Sequence, residues 1–248
     1  MFTAALIGPD GSGKSLVSKQ LVSVLSDMPI KRVYMGINLE ASNLMLPTTR
    51  LLLTMKRASG GRPDMAGPYE PSASRRSSKN PVKRLLSGIK DWALLANRVA
   101  EEWFRQLVAW TYLRRGFNVL FDRHFVLDYY FYDMAYDDPG KPLHRRVHGY
   151  LLKHYYPCPD LVIYLDAPAE LLFERKKEGT VESIERRRQE YLSLCEVVPA
   201  FEVVDASQPV EQVVQQAAEI IRRFSHHRAN QLPGSEKRVE NSPSQQMR

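Results

Sequence analysis

GPDGSGKS, residues 8–15, is the stretch whose reading decides the fold. It fits the pattern Gly, four residues, Gly-Lys-Ser without a gap, with Gly8, Gly13, Lys14 and Ser15 at the defining positions. A polyphosphate wrapped by backbone needs several inward N–H groups. Gly8, Gly11 and Gly13 tolerate the positive φ angles and close approach that such a wrap requires. Lys14 can reach outer phosphate oxygens as a point charge, and Ser15 can place its hydroxyl on a bridging Mg²⁺. A helix starting at about Gly13 would turn the positive end of its dipole onto the same oxygens.

The flanks agree with this reading. Phe2 to Ile7 is a short apolar run suited to a buried parallel strand. After the loop, Leu16, Val17, Leu21, Val22 and Leu25 recur at helical spacing and stop before Pro29. Strand, glycine loop and helix follow in the order a phosphate site needs.

Composition narrows the remainder. The 248 residues suit one α/β domain with additions or two small ones, and 44% hydrophobic content is ordinary for a packed core. Cys158 and Cys195 form no CxxC pair, so a reduced cytoplasmic compartment and inert packing roles are expected. The first apolar run lacks a basic lead and is too short for a signal peptide. No stretch approaches the roughly 18 apolar residues of a membrane span. The charge of +7 is unevenly spread. Residues 47–90 carry a net +8 and residues 222–248 a net +4, which leaves −5 for the rest. The basic character therefore belongs to one internal segment and one tail, which weakens any reading of the whole chain as a nucleic-acid binder.

Further along, Arg32 to Gly36 reads as a second strand. Residues 37–57 have no clear periodicity. Residues 58–81, rich in Ser, Gly, Pro and Arg, read as a mobile surface loop. That loop is either a basic flap over an anionic partner or a solvated insertion. Val82 to Arg115 carries apolar residues every three or four positions, a long amphipathic helix that Gly116 closes. Its three tryptophans, on the apolar face, are expected in the core. Phe117 to His124 is a buried strand ending in charge, where open α/β sheets bind ligands. Asp122 there could hold Mg²⁺ or orient an attacking hydroxyl, and Arg123 could clamp a phosphate. The aromatics of 125–138 either line an acceptor pocket or cover the sheet. His144, His148 and His154 lack a full zinc set and read as a solvated helix face.

Leu161 to Asp166 forms a fourth strand, and Pro168 opens the next helix. Two basic clusters, one holding Arg175 and the other Arg186 to Arg188, flank a hinge at Gly179 and suit a short lid over phosphates. Phe201 to Asp205 is a fifth strand. A helix from about Pro209 to Phe224 follows, and the polar tail at 227–248 is expected to be disordered.

As a set, these features resemble the thymidylate kinase family of nucleoside-monophosphate kinases. The resemblance rests on GPDGSGKS with its acid at Asp10, on Asp122-Arg123-His124, on LDAPAELLFERK at 165–176, on the lid ending in Arg188 and Tyr191, and on VVDASQPVEQV at 203–213. It spans residues 1–36 and about 117–224 within a domain expected at 1–226. It implies a P-loop NTPase: an α/β, three-layer αβα fold whose five-stranded parallel sheet runs in order 2-3-1-4-5. The cofactors implied are ATP and Mg²⁺. Gly8, Pro9, Asp10, Gly11, Ser12, Gly13, Lys14 and Ser15 would bind ATP, with Ala206 and Ser207 bordering the adenine. Ser15 and Asp122 would hold the metal, and Lys14, Asp122, Arg123, Arg175, Arg186 and Arg188 would form the catalytic set.

The chain also departs from that family. The Arg-Glu-Pro-Gly-Gly-Thr stretch after the second strand is replaced by Gly36-Ile37-Asn38-Leu39-Glu40-Ala41, and Asp128, Tyr129 and Tyr130 stand where the family grips thymine nucleotide. The ATP half looks intact and the acceptor half rebuilt. An acceptor such as dTMP, another small molecule (a nucleoside, sugar or lipid-linked precursor), or a non-catalytic switch engaging nucleic acid or anionic membrane all stay open, as does a homodimer.

Overall fold

The computed structural model describes residues 1–38, 42, 44–58, 81–135 and 140–231. The expected mobile loop at 58–81 lies almost wholly outside them, as does the tail expected at 227–248 except for residues 227–231, which are helical rather than disordered. Five strands, β1 (Thr3–Ile7), β2 (Ile30–Tyr34), β3 (Asn118–Asp122), β4 (Leu161–Asp166) and β5 (Phe201–Asp205), form one all-parallel sheet. Their order is β2-β3-β1-β4-β5, as expected of a P-loop NTPase. Thr3 to Leu6 of β1 pair with Val119 to Asp122, and Ala4 to Ile7 pair with Leu161 to Tyr164. The phosphate loop therefore leaves the middle strand.

The pleat explains why β1 is apolar throughout. Ala4 and Leu6 face a core shared with helix α1 (Lys14–Val24) and helix α8 (Val210–Gln231), through Val17, Leu21, Val214 and Ala218. Ala5 and Ile7 face the opposite core, shared with α3 (Pro81–Arg114) and α5 (Leu143–Tyr155), through Ala109 and Leu152. Both faces are covered, so a polar residue on either would be stranded. Three layers, helix–sheet–helix, result.

Several expectations shift. The stretch 37–57 that showed no clear period contains helix α2 (Pro47–Ala58). Helix α8 runs to Gln231, past Phe224, where its apolar period fades. The aromatic stretch begins as helix α4 (Phe125–Tyr129) and widens into a π-helical turn (Tyr130–Met134), closed by the Ala135 amide donating to the Tyr130 carbonyl at 2.7 Å. Cys158 and Cys195 are exposed, contrary to the packing role expected of them. They stand in the connections around β4 and after α7 (Val181–Ser193), where a small thiol has no core to fill.

Of the tryptophans, Trp103 packs against the core and meets Trp110 edge to face at 5.8 Å between centroids, whereas Trp92 is exposed. The solvated histidine face is also corrected. His148 is fully buried, with Nδ1 2.7 Å from Asp133 Oδ2 and Nε2 3.2 Å from Glu102 Oε1. The π-helical turn makes this contact: Asp133 meets α5, while its neighbour Tyr132 meets Arg187 of α7.

Candidate functional site

The loop from Gly8 to Gly13 curls at the C-terminal end of β1, between β3 and β4, where a doubly wound sheet opens. Gly8 has φ +146°, and a Cβ there would come within 2.5 Å of the Leu165 carbonyl oxygen. Only glycine allows β4 so close. Gly13, at φ 85°, turns the chain into α1, which starts with no side-chain cap and no acid in its first turn. Its first amides and dipole thus remain open to an anion.

Lys14 is buried, and its Nζ donates to the Pro9 carbonyl at 2.6 Å and to Ser12 Oγ at 3.3 Å. Burial, with help from Arg123, pulls its pKa down to about 7 against the attraction of Asp10, Asp128 and Asp122. An anion reaching Lys14 would restore its full charge, so the site rewards phosphate oxygens.

β3 brings Asp122 to this loop. Ser15 Oγ donates to Asp122 Oδ1 at 3.4 Å, while Arg32 lies 3.4 Å from Oδ2. That second oxygen is buried without a hydrogen-bond partner in the described structure. A hydroxyl and a carboxylate with spare lone pairs fit Mg²⁺, which takes few protein ligands and shares the rest with phosphates and water. Among the described residues no cluster of three His, Cys, Asp or Glu forms a dedicated metal cage.

Arg123 adopts φ 66°, a left-handed conformation unusual for an arginine. The twist sends its guanidinium across the loop to Asp10 Oδ1 at 2.7 Å. Desolvation raises the Asp10 carboxyl, but Lys14 and Arg123 outweigh it and bring the pKa to about 2. Beside them stands Asp128 of α4, 7% exposed. Tyr191 Oη donates to its Oδ1 at 3.1 Å. Burial pushes this carboxyl up despite the pull of Arg123, Arg187 and Lys14.

Three comparisons bear on the chain as a whole. No family model matches it. It is 34% identical over 105 residues to "Probable thymidylate kinase 1" of Saccharolobus solfataricus, covering 40% of this chain and 54% of that protein. It is 30% identical over 123 residues to a probable thymidylate kinase of Archaeoglobus fulgidus, covering 48% and 60%. A thymidylate kinase of Latilactobacillus sakei is 35% identical over 81 residues, 28% and 38% of the two chains. The chain is similar to thymidylate kinases. It spans little more than half the length of the first two relatives. A solved structure of deoxyadenosine kinase from M. mycoides, with dCMP product and a flexible dCDP bound, aligns at a TM-score of 0.49 with 17% identity, covering 90% of this chain and 99% of that one.

The two basic clusters expected to form a lid lie on α6 (Ala169–Lys176) and α7, which are joined through Lys177 and Gly179 in left-handed conformations. Thr180 and Ser183 cap α7 reciprocally. The expected arginines separate here. Arg188 grips Asp166 with two 2.8 Å bonds, and Arg175 donates to the Ala206 carbonyl at 2.9 Å, tying α6 to the end of β5 beside Ser207. Arg186 is exposed and joins neither. Arg187, outside the expected catalytic set, is the one that turns toward Asp128, with its guanidinium 4.9 Å from the Tyr132 ring centroid and 5.7 Å from that of Tyr191.

Two further contributors carried no obvious sequence signal. Buried Arg105 donates to the Gly36 carbonyl at 2.8 Å and so fixes the end of β2. Arg98, Glu101, Glu102 and Arg105 repeat at the helical interval of the apolar stripe, so a second, polar inward face of α3 was written there. Tyr34, whose hydroxyl burial pushes up to about 12, completes the wall near Arg123.

Proposed function

We propose that this protein is an ATP-dependent phosphotransferase that moves the γ-phosphoryl group to a nucleoside monophosphate such as dTMP. The observation that carries the reading is the convergence of buried Lys14, uncapped α1, the Ser15–Asp122 pair and Arg123 at one sheet edge. Gly8, Pro9, Asp10, Gly11, Ser12 and Gly13 would wrap the donor phosphates, while Ala206 and Ser207 would border the adenine. Ser15 and Asp122 would hold Mg²⁺, which supplies neutralisation of phosphate charge when bound.

Lys14 would hold the outer donor oxygens in line, and Arg123 and Arg187 would carry the charge that spreads as the group moves. In transfer, an acceptor oxygen forms a bond to the γ-phosphorus as the bond to the β–γ bridging oxygen breaks, its electron pair leaving on ADP. Catalysis is then positioning and electrostatics, without a covalent intermediate on the protein.

A second reading has its own support. Asp128 is a buried carboxylate beside Arg123 and Lys14, and a carboxylate repels an acceptor phosphate but suits an acceptor hydroxyl, whose proton it could take. One ADP-release screen separates the readings: dTMP and other monophosphates against unphosphorylated nucleosides and sugars. Lys14→Ala should lower turnover at least about a hundredfold while the circular dichroism spectrum stays unchanged. Full activity in that variant would refute the site. The proposed setting is the cytoplasm, in keeping with two exposed, unpaired cysteines.

A further inference from the structure

The apolar stripe of α3 runs on toward its N-terminus into exposed positions: Trp92 still meets the His144 ring of α5 edge to face at 6.5 Å, and Ile89 and Leu86 precede it. Arg105 already touches Gly36, beyond the C-terminal end of β2. Because α3 leads directly into the start of β3, it runs opposite to the strands. Residues ahead of Arg105 therefore extend beyond the edge where the phosphate loop lies. From Arg105 back to Leu86 is nineteen residues, about 28 Å of helix. Among the residues of α3 whose burial is described, Leu95 is the buried large apolar side chain nearest the N-terminus. Leu86, Ile89 and Trp92 are 44–59% exposed, and Leu51 and Met55 of α2 are each 61% exposed.

This apolar arm lies in the most basic part of the chain. The two helical stretches 47–58 and 81–90 hold six Lys/Arg (Arg50, Lys56, Arg57, Lys83, Arg84 and Lys90) and no Asp or Glu, against −5 for the chain outside residues 47–90 and the tail. We propose that the α2–α3 arm docks on the surface of an anionic lipid bilayer. Large aliphatic side chains and a tryptophan beside lysines and arginines are the combination that settles at a headgroup boundary, with the cations on lipid phosphates and the apolar groups among the acyl chains. A second copy pairing arm to arm would oppose two stretches of six cations each. Nucleic acid would match the charge but give no reward for burying Leu51, Met55, Leu86 and Ile89. No helix among the described residues is long and apolar enough to cross a membrane, so the arm lies on the surface. The mildly acidic remainder is repelled from the same surface, which orients the molecule arm first and turns the phosphate-loop edge toward the bilayer. The inference does not depend on phosphoryl transfer.

The test is co-sedimentation of the full chain with vesicles of phosphatidylcholine alone and of phosphatidylcholine mixed with phosphatidylglycerol. Binding to the mixed vesicles, weakening as salt rises and accompanied by a blue shift of tryptophan emission that Trp92→Phe removes, is the expected result. Lys90→Gln should weaken partitioning about fivefold, and Ile89→Asp should abolish it. Both positions are exposed, so circular dichroism and nucleotide binding should stay unchanged. Equal binding to neutral vesicles overturns the proposal. So does failure to bind either vesicle, whether or not the chain binds DNA or forms dimers that Ile89→Asp dissociates.

Discussion

Replacing His148 with phenylalanine tests how the π-helical turn, α3 and α5 are held together. In the native structure the imidazole stands 2.7 Å from the Asp133 carboxylate and 3.2 Å from that of Glu102, with all three side chains at most 1% exposed. Each carboxylate accepts, so both ring nitrogens must carry protons and the ring is a cation between two anions. Desolvation lowers the His148 pKa, but the bonds to Asp133 and Glu102 outweigh it and leave a net rise. Removing the cation strands two buried carboxylates, and breaking a buried pair in this way costs about 3–5 kcal/mol. For a chain of this size that corresponds to a fall of about 6–20 °C in melting temperature. Arg145, 3.4 Å from Asp133, offsets part of the loss on that side, so the lower half of the range is expected. Urea denaturation of the wild type and His148→Phe, followed by circular dichroism at several pH values, makes the measurement. Because the folded pKa is raised, the stabilisation is complete below about 6.5, the unfolded value, and fades as pH rises through the folded one. The gap between the two proteins should therefore narrow toward alkaline pH. A loss under about 1 kcal/mol, or a gap that widens with pH, would refute the imidazolium assignment.

Gly8→Ala should cost about 1–3 kcal/mol and abolish nucleotide binding, because its Cβ meets the Leu165 carbonyl and Ser12 Oγ while φ stays at +146°; thermal melts and nucleotide titration check both. Asp122→Asn should leave the fold intact, since the amide keeps an oxygen for the Ser15 hydroxyl and Arg32, yet raise the magnesium concentration needed for half-maximal turnover. Arg187→Ala should lower kcat with little change in melting temperature. Arg188→Ala should do the reverse, because its guanidinium is already committed to Asp166.

The sheet order and the phosphate loop were legible because both are local patterns: a continuous apolar run buried on both faces, then glycines at fixed spacing. The placement of Asp122 and Arg123 beside the loop followed from the same logic, as charges ending a buried strand. What escaped was polar and long-range. Glu102, Asp133 and His148 lie on three elements, and nothing local marks a histidine for burial until its carboxylates are brought to it. Arg105 was hidden in a helix whose apolar stripe drew the eye. Arg187 and Arg188 are adjacent in sequence, yet a rotation of about 100° along α7 sends one to Asp128 and the other to Asp166. That same stripe overstated the core, since period alone does not reveal where the sheet beneath a long helix ends.

The left-handed twist at Arg123 has a consequence for how this chain can change. Glycine or asparagine would occupy that backbone conformation with less strain. Each would also silence the guanidinium that reaches over the loop to Asp10. Position 123 therefore sets backbone strain against the reach of a cation, and relief of the one comes with loss of the other.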